Sequence, residues 1–250
     1  MFRIIAKLDV KPPYVVKPVH FEGLRRMGSP NDLSKKYYVQ GVDEIIYIDI
    51  VASLYKREIL YQHLSQATQG IFVPLSVGGG ITSVEECSKL FQSCADKIVI
   101  NTHALQVDPS LIDKAADLYG SQSVVVNIEA KRTAADWVCY SDCGRIPSGK
   151  SVLEWVDEIQ ERGAGEIVLQ SVDTDGRRTG FDIELIKRVV LSSSIPVIAA
   201  SGAGSKEHIL EMYSNARPAG VAISSLLHYN IETVGSIKTF LRKNGVTVSS

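Results

Sequence analysis

The chain has 250 residues, 45 % of them apolar and 22 % charged, and a formal net charge of −1. That near-neutral balance carries no electrostatic signature for nucleic acid or an anionic membrane, and no apolar run approaches the ~20 residues of a membrane span. The four cysteines (Cys87, Cys94, Cys139 and Cys143) do not make a disulfide framework in a chain this size, and no nearby His or second Cys pair completes a zinc set around Cys139 and Cys143.

Short β-branched runs alternate with longer amphipathic stretches along the whole chain. The runs predict strands at 3–8, 44–49, 72–77, 96–100, 123–128, 166–171, 195–199 and 219–223. Between them lie helical stretches such as 31–40, 83–92, 110–119, 151–162, 182–191, 205–214 and 231–243. Pro30-Asn31-Asp32 opens the first helix, Gly120 ends the third of these, and Asn244-Gly245 closes the last. Eight strands alternating with eight helical segments predict an α/β fold, a (β/α)8 TIM barrel over residues 1–250. A doubly wound open sheet is the alternative, though it more often has five or six strands. The N-terminus lacks a signal peptide's apolar core and cleavage site, so a soluble cytoplasmic protein is expected.

The halves repeat. Gly41-Val42-Asp43-Glu44-Ile45-Ile46 aligns with Gly163-Ala164-Gly165-Glu166-Ile167-Val168. Val73-Pro74 through Gly80 aligns with Ile195-Pro196 through Gly202, and Asp96 through Asn101 with Gly220 through Ser225. The offset stays within 120 to 124 residues, which predicts two half-barrels, about 1–120 and 121–250. Apolar strands match by chance; Gly-x-x-Glu and x-Pro landmarks in one order rarely do.

In such a barrel the C-terminal strand ends and the loops after them build the site. Asp9 ends the first strand and Glu129 the fifth, at equivalent places in the repeat, so the two carboxylates are expected to face each other across one cavity. Opposed carboxylates suit general acid/base work because environment can push their pKa values apart, although capping acids are the commoner use of such residues. Gly78-Gly79-Gly80 with Asn101 and Thr102 predicts one phosphate grip. Asp175-Gly176, Ser201-Gly202 and Ser224-Ser225 predict a second at the opposite rim. Gly-rich turns alone are weak signals; two repeat-related copies suggest a long substrate with a phosphate at each end.

At the other face, Arg3, Glu44, Lys97 and Glu166 occupy strand N-termini, where apolar side chains normally plug a barrel. They make either ordinary salt bridges on a solvated rim or a charged gate into the barrel axis. By strand alternation Lys7 and Asn127 share the inward face with Asp9 and Glu129. A buried lysine there is expected to pair with a carboxylate and lower its pKa.

Several motifs carry a resemblance over nearly the whole chain. In the first half they are Leu8-Asp9-Val10-Lys11, Val15-Val16-Lys17, Asp43-Glu44 with Asp49-Ile50 and Ala52-Ser53, Val77-Gly78-Gly79-Gly80-Ile81, and Ala95-Asp96-Lys97 with Ile100-Asn101-Thr102. In the second half they are Gly120-Ser121-Gln122, Ala130-Lys131-Arg132, Arg162 through Glu166, Asp173-x-Asp175-Gly176 and Gly202-Ala203-Gly204. Together they resemble the cyclase subunit of imidazole glycerol phosphate synthase. The resemblance implies a barrel that binds a glutaminase subunit at its bottom face. Ammonia made there passes the gate (Arg3, Glu44, Lys97, Glu166) and travels up the barrel. At the top it reacts with a bisphosphorylated ribulosyl substrate, giving imidazole glycerol phosphate and an aminoimidazole ribotide. The resemblance implies Asp9 and Glu129 as the acid/base pair and adds Lys17 to the substrate-binding residues, with no metal or cofactor.

The departures fall on the catalytic floor. Glu129 stands where the family has Asp, and misplacing a carboxyl by about an ångström can cost about a hundredfold in rate. Lys7, Asn127 and Gln170 replace a Cys, a small residue and a Thr. Lys11-Pro12-Pro13-Tyr14 loses a Gly and stiffens its turn, Pro18 follows Lys17 in place of Gly, and Ala200-Ser201-Gly202 shifts one phosphate-loop element. Gate and grips kept with an altered floor predict a paralogue that serves a different acceptor. Relatives of this kind in bacterial surface-polysaccharide (lipopolysaccharide) pathways supply ammonia to a separate amidotransferase, which converts an acetamido group on a nucleotide-linked sugar to an acetamidino group. The alternatives are a genuine histidine-pathway cyclase and a non-catalytic scaffold that activates a glutaminase. A related isomerase family fits the gate charges and Ala130-Lys131-Arg132 less well.

Overall fold

A computed structural model of the protein describes residues 1–19, 22–52, 70–134 and 136–249. The chain opens with β1 (Arg3–Lys11), which returns as a hairpin of β2 (Tyr14–Val19) and β3 (Glu22–Gly28) before α1 (Pro30–Val39). Then come β4 (Glu44–Asp49), β5 (Leu75–Gly78), α2 (Val84–Ser93), β6 (Lys97–Ile100), α3 (Thr102–Gln106) and α4 (Ser110–Tyr119). β7 (Val124–Arg132) again carries a hairpin, β8 (Trp137–Ser141) and β9 (Ile146–Ser151), followed by α5 (Val152–Glu161). The chain ends with β10 (Glu166–Ser171), α6 (Ile183–Ser192), β11 (Val197–Ala200), α7 (Lys206–Ala216), β12 (Gly220–Ile223), α8 (Ser225–His228) and α9 (Val234–Lys243).

Eight of these strands pair in parallel in the order β1-β4-β5-β6-β7-β10-β11-β12, and β12 pairs back onto β1. The fold is therefore a closed (β/α)8 TIM barrel, in which each of the eight barrel strands is paired on both sides. All eight predicted strands are present. The segment between β4 and β5 lies mostly outside the described residues, as does Ser53 of the sequence motifs.

Two strands begin two or three residues later than predicted, and both for the same reason. Pro74 and Pro196, equivalent in the repeat, have no N–H to donate to a ladder. Their carbonyls instead accept from Ile45 N (3.0 Å) and Ile167 N (2.9 Å), and regular pairing starts after them at Leu75 and Val197. The hairpins β2–β3 and β8–β9, placed alike after β1 and β7, were not among the predicted strands. Trp137–Ser141 does alternate buried and half-buried residues, the period-two signal of a strand.

Alternation along each strand sorts the core into two layers. Ile4, Ala6 and Leu8 face the helices, whereas Ile5, Ile46, Val99, Val125, Val168 and Ile198 pack together inside the barrel. The helices are shaped to cover the outer layer. In α5, Val152, Trp155, Val156 and Ile159 are buried at helical spacing, each worth roughly 1.5–3 kcal/mol. Ser151 and Glu154 close that helix's N-terminus as a capping box, as Ser83 and Glu86 close α2.

Candidate functional site at the top of the barrel

Above the apolar collar the inward positions turn polar. Lys7 and Asp9 leave β1 two residues apart, so both point inward, and the Lys7 ammonium donates directly to Asp9 Oδ1. Lys17 Nζ lies 3.9 Å from Asp9 Oδ2 and donates to Asp175 Oδ1 at 3.2 Å. Ser201 Oγ donates to the same Asp175 oxygen at 3.3 Å. Burial alone raises the Asp9 pKa, but the Lys7 and Lys17 charges outweigh it and hold the carboxyl below its ordinary value. Burial likewise opposes the charge on Lys7, and Asp9, Asp175 and Glu129 together raise its pKa above the usual lysine value.

Glu129 has a different environment. Its Oε1 accepts from Asn101 Nδ2 at 3.0 Å and its Oε2 from Gly144 N at 2.7 Å. Burial nevertheless pushes its pKa from 4.5 to about 7, against the Gly144 N–H and the Lys7 charge. The environments therefore push the two acids apart, with Asp9 held ionised and Glu129 poised near neutrality. The raised value links to stability: from pH 4.5 to about 7 the folded chain holds a proton that the unfolded chain has released. Stability should fall as pH rises through that window, by about 3 kcal/mol. Glu129→Gln is expected to flatten this part of the profile, measured by urea denaturation at about pH 5 and about pH 8. An unchanged slope would show that Glu129 ionises normally.

The residues proposed from sequence fall into two compartments. The larger, about 480 Å³, is lined by Gly80, Asn101, Thr102, Asn127 and Glu129, with Ile48 and Ile81 among its apolar walls. Cavities of several hundred Å³ are the size that holds small ligands. The smaller, about 20 Å³, is lined by Lys17, Asp175, Gly176, Gly202, Ser224 and Ser225. Lys7 and Gln170 line both. Gly202 adopts φ +97°, and a Cβ there would lie 2.1 Å from Gly180 O, so only glycine fits. The expectation that Asp9 and Glu129 both front one cavity meets a difference. Glu129 lines the larger compartment, but Asp9, 2 % exposed, lines neither, and its Oδ1 is bonded to the Lys7 ammonium, which lines both.

At the bottom face the four charges form a closed ring. Arg3 Nη1 donates to Glu44 Oε2 at 3.1 Å and Arg3 Nη2 to Glu166. Lys97 Nζ donates to both Glu44 and Glu166 at 2.9 Å, and Ser76 Oγ to Glu44 Oε1 at 2.6 Å. Charges alternate around the axis, and the two acids are the deeply buried members.

Some contributors escaped the sequence reading. Asp142, Cys143 and Gly144 take successive positive φ values of 49°, 60° and 72° in the turn between β8 and β9. This turn aims the Gly144 N–H at Glu129. Ser-Asp-Cys-Gly is a turn signal in the sequence, yet nothing there reveals which carboxylate the turn meets. Ser224 Oγ donates to Lys7 O at 2.8 Å and pins the strand beneath the lysine. His228 is buried with its Nδ1 2.6 Å from the Tyr37 hydroxyl, and burial pushes its pKa down to about 4.

The sequence matches the histidine biosynthesis protein family over residues 3–233. It is 47 % identical over 246 residues to the imidazole glycerol phosphate synthase subunit HisF of Pyrococcus furiosus, covering 98 % of this chain and 97 % of that one. Against the HisF subunit of Legionella pneumophila it is 48 % identical over 206 residues, 82 % of this chain and 97 % of the relative. The HisF subunit of Myxococcus xanthus is 38 % identical over 248 residues, 99 % and 98 % of the two chains.

Proposed function

This chain belongs to the histidine biosynthesis protein family, as an enzyme subunit of the HisF cyclase type, and from that premise we propose that it delivers ammonia to an acceptor other than the cyclase substrate. In this reading a glutaminase subunit docks on the bottom face, and ammonia passes the ring of Arg3, Glu44, Lys97 and Glu166. The ammonia then supplies acetamidino-sugar formation by a separate amidotransferase in cytoplasmic steps of surface-polysaccharide synthesis. The proposal takes residues 1–250 as one barrel of two half-barrels, with the larger compartment holding a phosphorylated ligand at Gly80, Asn101 and Thr102.

The observation that carries the reading is the Lys7 ammonium inside the barrel, bonded to Asp9. An acid tied to a buried cation is held ionised, and it is not free to take and return protons at a substrate. The family's pair of exchangeable acids is reduced here to Glu129.

A second reading, a histidine-pathway cyclase, draws support from Glu129 itself, whose pKa of about 7 suits general acid/base work. The purified chain, given the bisphosphorylated ribulosyl substrate and a high concentration of ammonium salt, separates the two. No product from folded protein that binds a glutaminase is the expected result. Turnover abolished by Asp9→Asn, or restored histidine prototrophy in a strain lacking its own cyclase, would establish the cyclase instead.

A further inference from the structure

The two compartments at the top of the barrel share Lys7 and Gln170 as lining residues. Each of the two is held in place by a partner behind it. Lys7 Nζ is bonded to Asp9, and its backbone carbonyl is held by Ser224 Oγ at 2.8 Å. Gln170 Nε2 donates to Asn127 Oδ1 at 3.0 Å, with Gln170 3 % and Asn127 7 % exposed. Two long side chains, one fixed on β1 and one on β10, thus stand at the boundary that a ligand reaching both rims must pass.

The compartments are also unequal. About 480 Å³ on the Gly80–Asn101 side accommodates a sugar phosphate, whereas about 20 Å³ on the Gly176–Gly202 side has room for little more than a water molecule.

We propose that the Lys7–Asp9 and Gln170–Asn127 pairs form a wall across the barrel mouth. The chain accordingly takes a ligand with one phosphoryl group in the larger compartment and rejects a ligand that must place a phosphate in each. This rests on the reading of the chain as serving an acceptor other than the cyclase substrate, and it names the class of ligand the barrel itself holds: a singly anchored phosphorylated compound. It also makes Lys7 and Gln170 specificity-determining residues through their size and fixed position.

Calorimetric titration of the whole chain with ribose 5-phosphate and with the bisphosphorylated ribulosyl compound tests the wall. Joining two phosphates that both engage should gain about 100-fold or more in affinity. The wild-type chain is expected to bind the bisphosphate within a few-fold of ribose 5-phosphate. Lys7→Ala/Gln170→Ala is expected to gain about 100-fold for the bisphosphate alone. Gln170→Ala, which leaves the Lys7–Asp9 pair intact, should gain about tenfold and serves if the double variant does not fold. A wild-type preference of about 100-fold for the bisphosphate overturns the proposal, as does failure of either folded variant to gain. So does absence of ribose 5-phosphate binding, since the larger compartment would then hold no phosphate. Product assayed in the same samples with ammonium salt reports on the functional reading separately. Tight binding without turnover removes the wall and leaves that reading; turnover removes the reading.

Discussion

Replacing Glu44 with alanine is expected to cost about 3–5 kcal/mol of stability, far more than removing an exposed charge elsewhere on the barrel. Glu44 is 2 % exposed and accepts from three donors: Arg3, Lys97 and the Ser76 hydroxyl. Without it, two cations at the barrel axis are left with Glu166 alone, and Ser76 loses its partner. A buried ion pair contributes little over an apolar packing of the same volume, but breaking one member exposes the full desolvation cost of the other. Lys114→Ala is the control. Its partner is Asp108, their side chains are 56 % and 42 % exposed, and pairs of that kind are worth about 1 kcal/mol or less. Urea denaturation of the three proteins decides the matter. A Glu44→Ala loss as small as that of Lys114→Ala would make the ring a solvated rim, and a solvated rim does not separate the barrel axis from bulk water.

The sequence made the barrel legible because the fold is built from two simple signals. Runs such as Ile4-Ile5-Ala6 and Val124-Val125-Val126 are apolar on both faces, as buried parallel strands must be, and the repeat fixed their order. The runs from 72 and 195 predict strand starts that the structure moves to Leu75 and Val197, because each apolar run continues through a proline that cannot join the ladder. The hairpins were missed since each pairs mainly with itself and one barrel strand, with polar residues such as Lys17 and Ser148 interleaved. In the site, strand alternation, a local rule, puts Lys7 and Asn127 on one face with Asp9 and Glu129, and Lys7, Asn127 and Glu129 line the larger compartment. What lay beyond reach was which inward side chain meets which. Lys7 bonding to Asp9 and Gly144 reaching Glu129 depend on side-chain direction and a left-handed turn, and neither leaves a periodic trace.

Lys7→Met provides the second large effect and the sharpest test of the altered floor. Methionine keeps most of the volume but removes the charge, leaving the Asp9 carboxylate buried with the Lys17 ammonium 3.9 Å from its Oδ2. Near neutral pH the loss should be about 3–5 kcal/mol. In the wild-type chain the Asp9 pKa lies below 3.8, so the stability it contributes is present above that pH and is lost as pH falls through the depressed folded value. In Lys7→Met the burial contribution dominates and raises the Asp9 pKa. The deficit should therefore shrink as pH falls, because the carboxyl takes a proton in place of its lost partner. Asp9→Asn in the Lys7→Met background should restore most of the loss at neutral pH, since a neutral amide replaces the stranded charge. The resulting double-mutant cycle should show a coupling of about 2 kcal/mol or more. Additive losses would mean that the two side chains contribute independently. Asp9 would then be an ordinary buried acid rather than one held ionised by Lys7, and the physical basis for a changed acceptor would be gone.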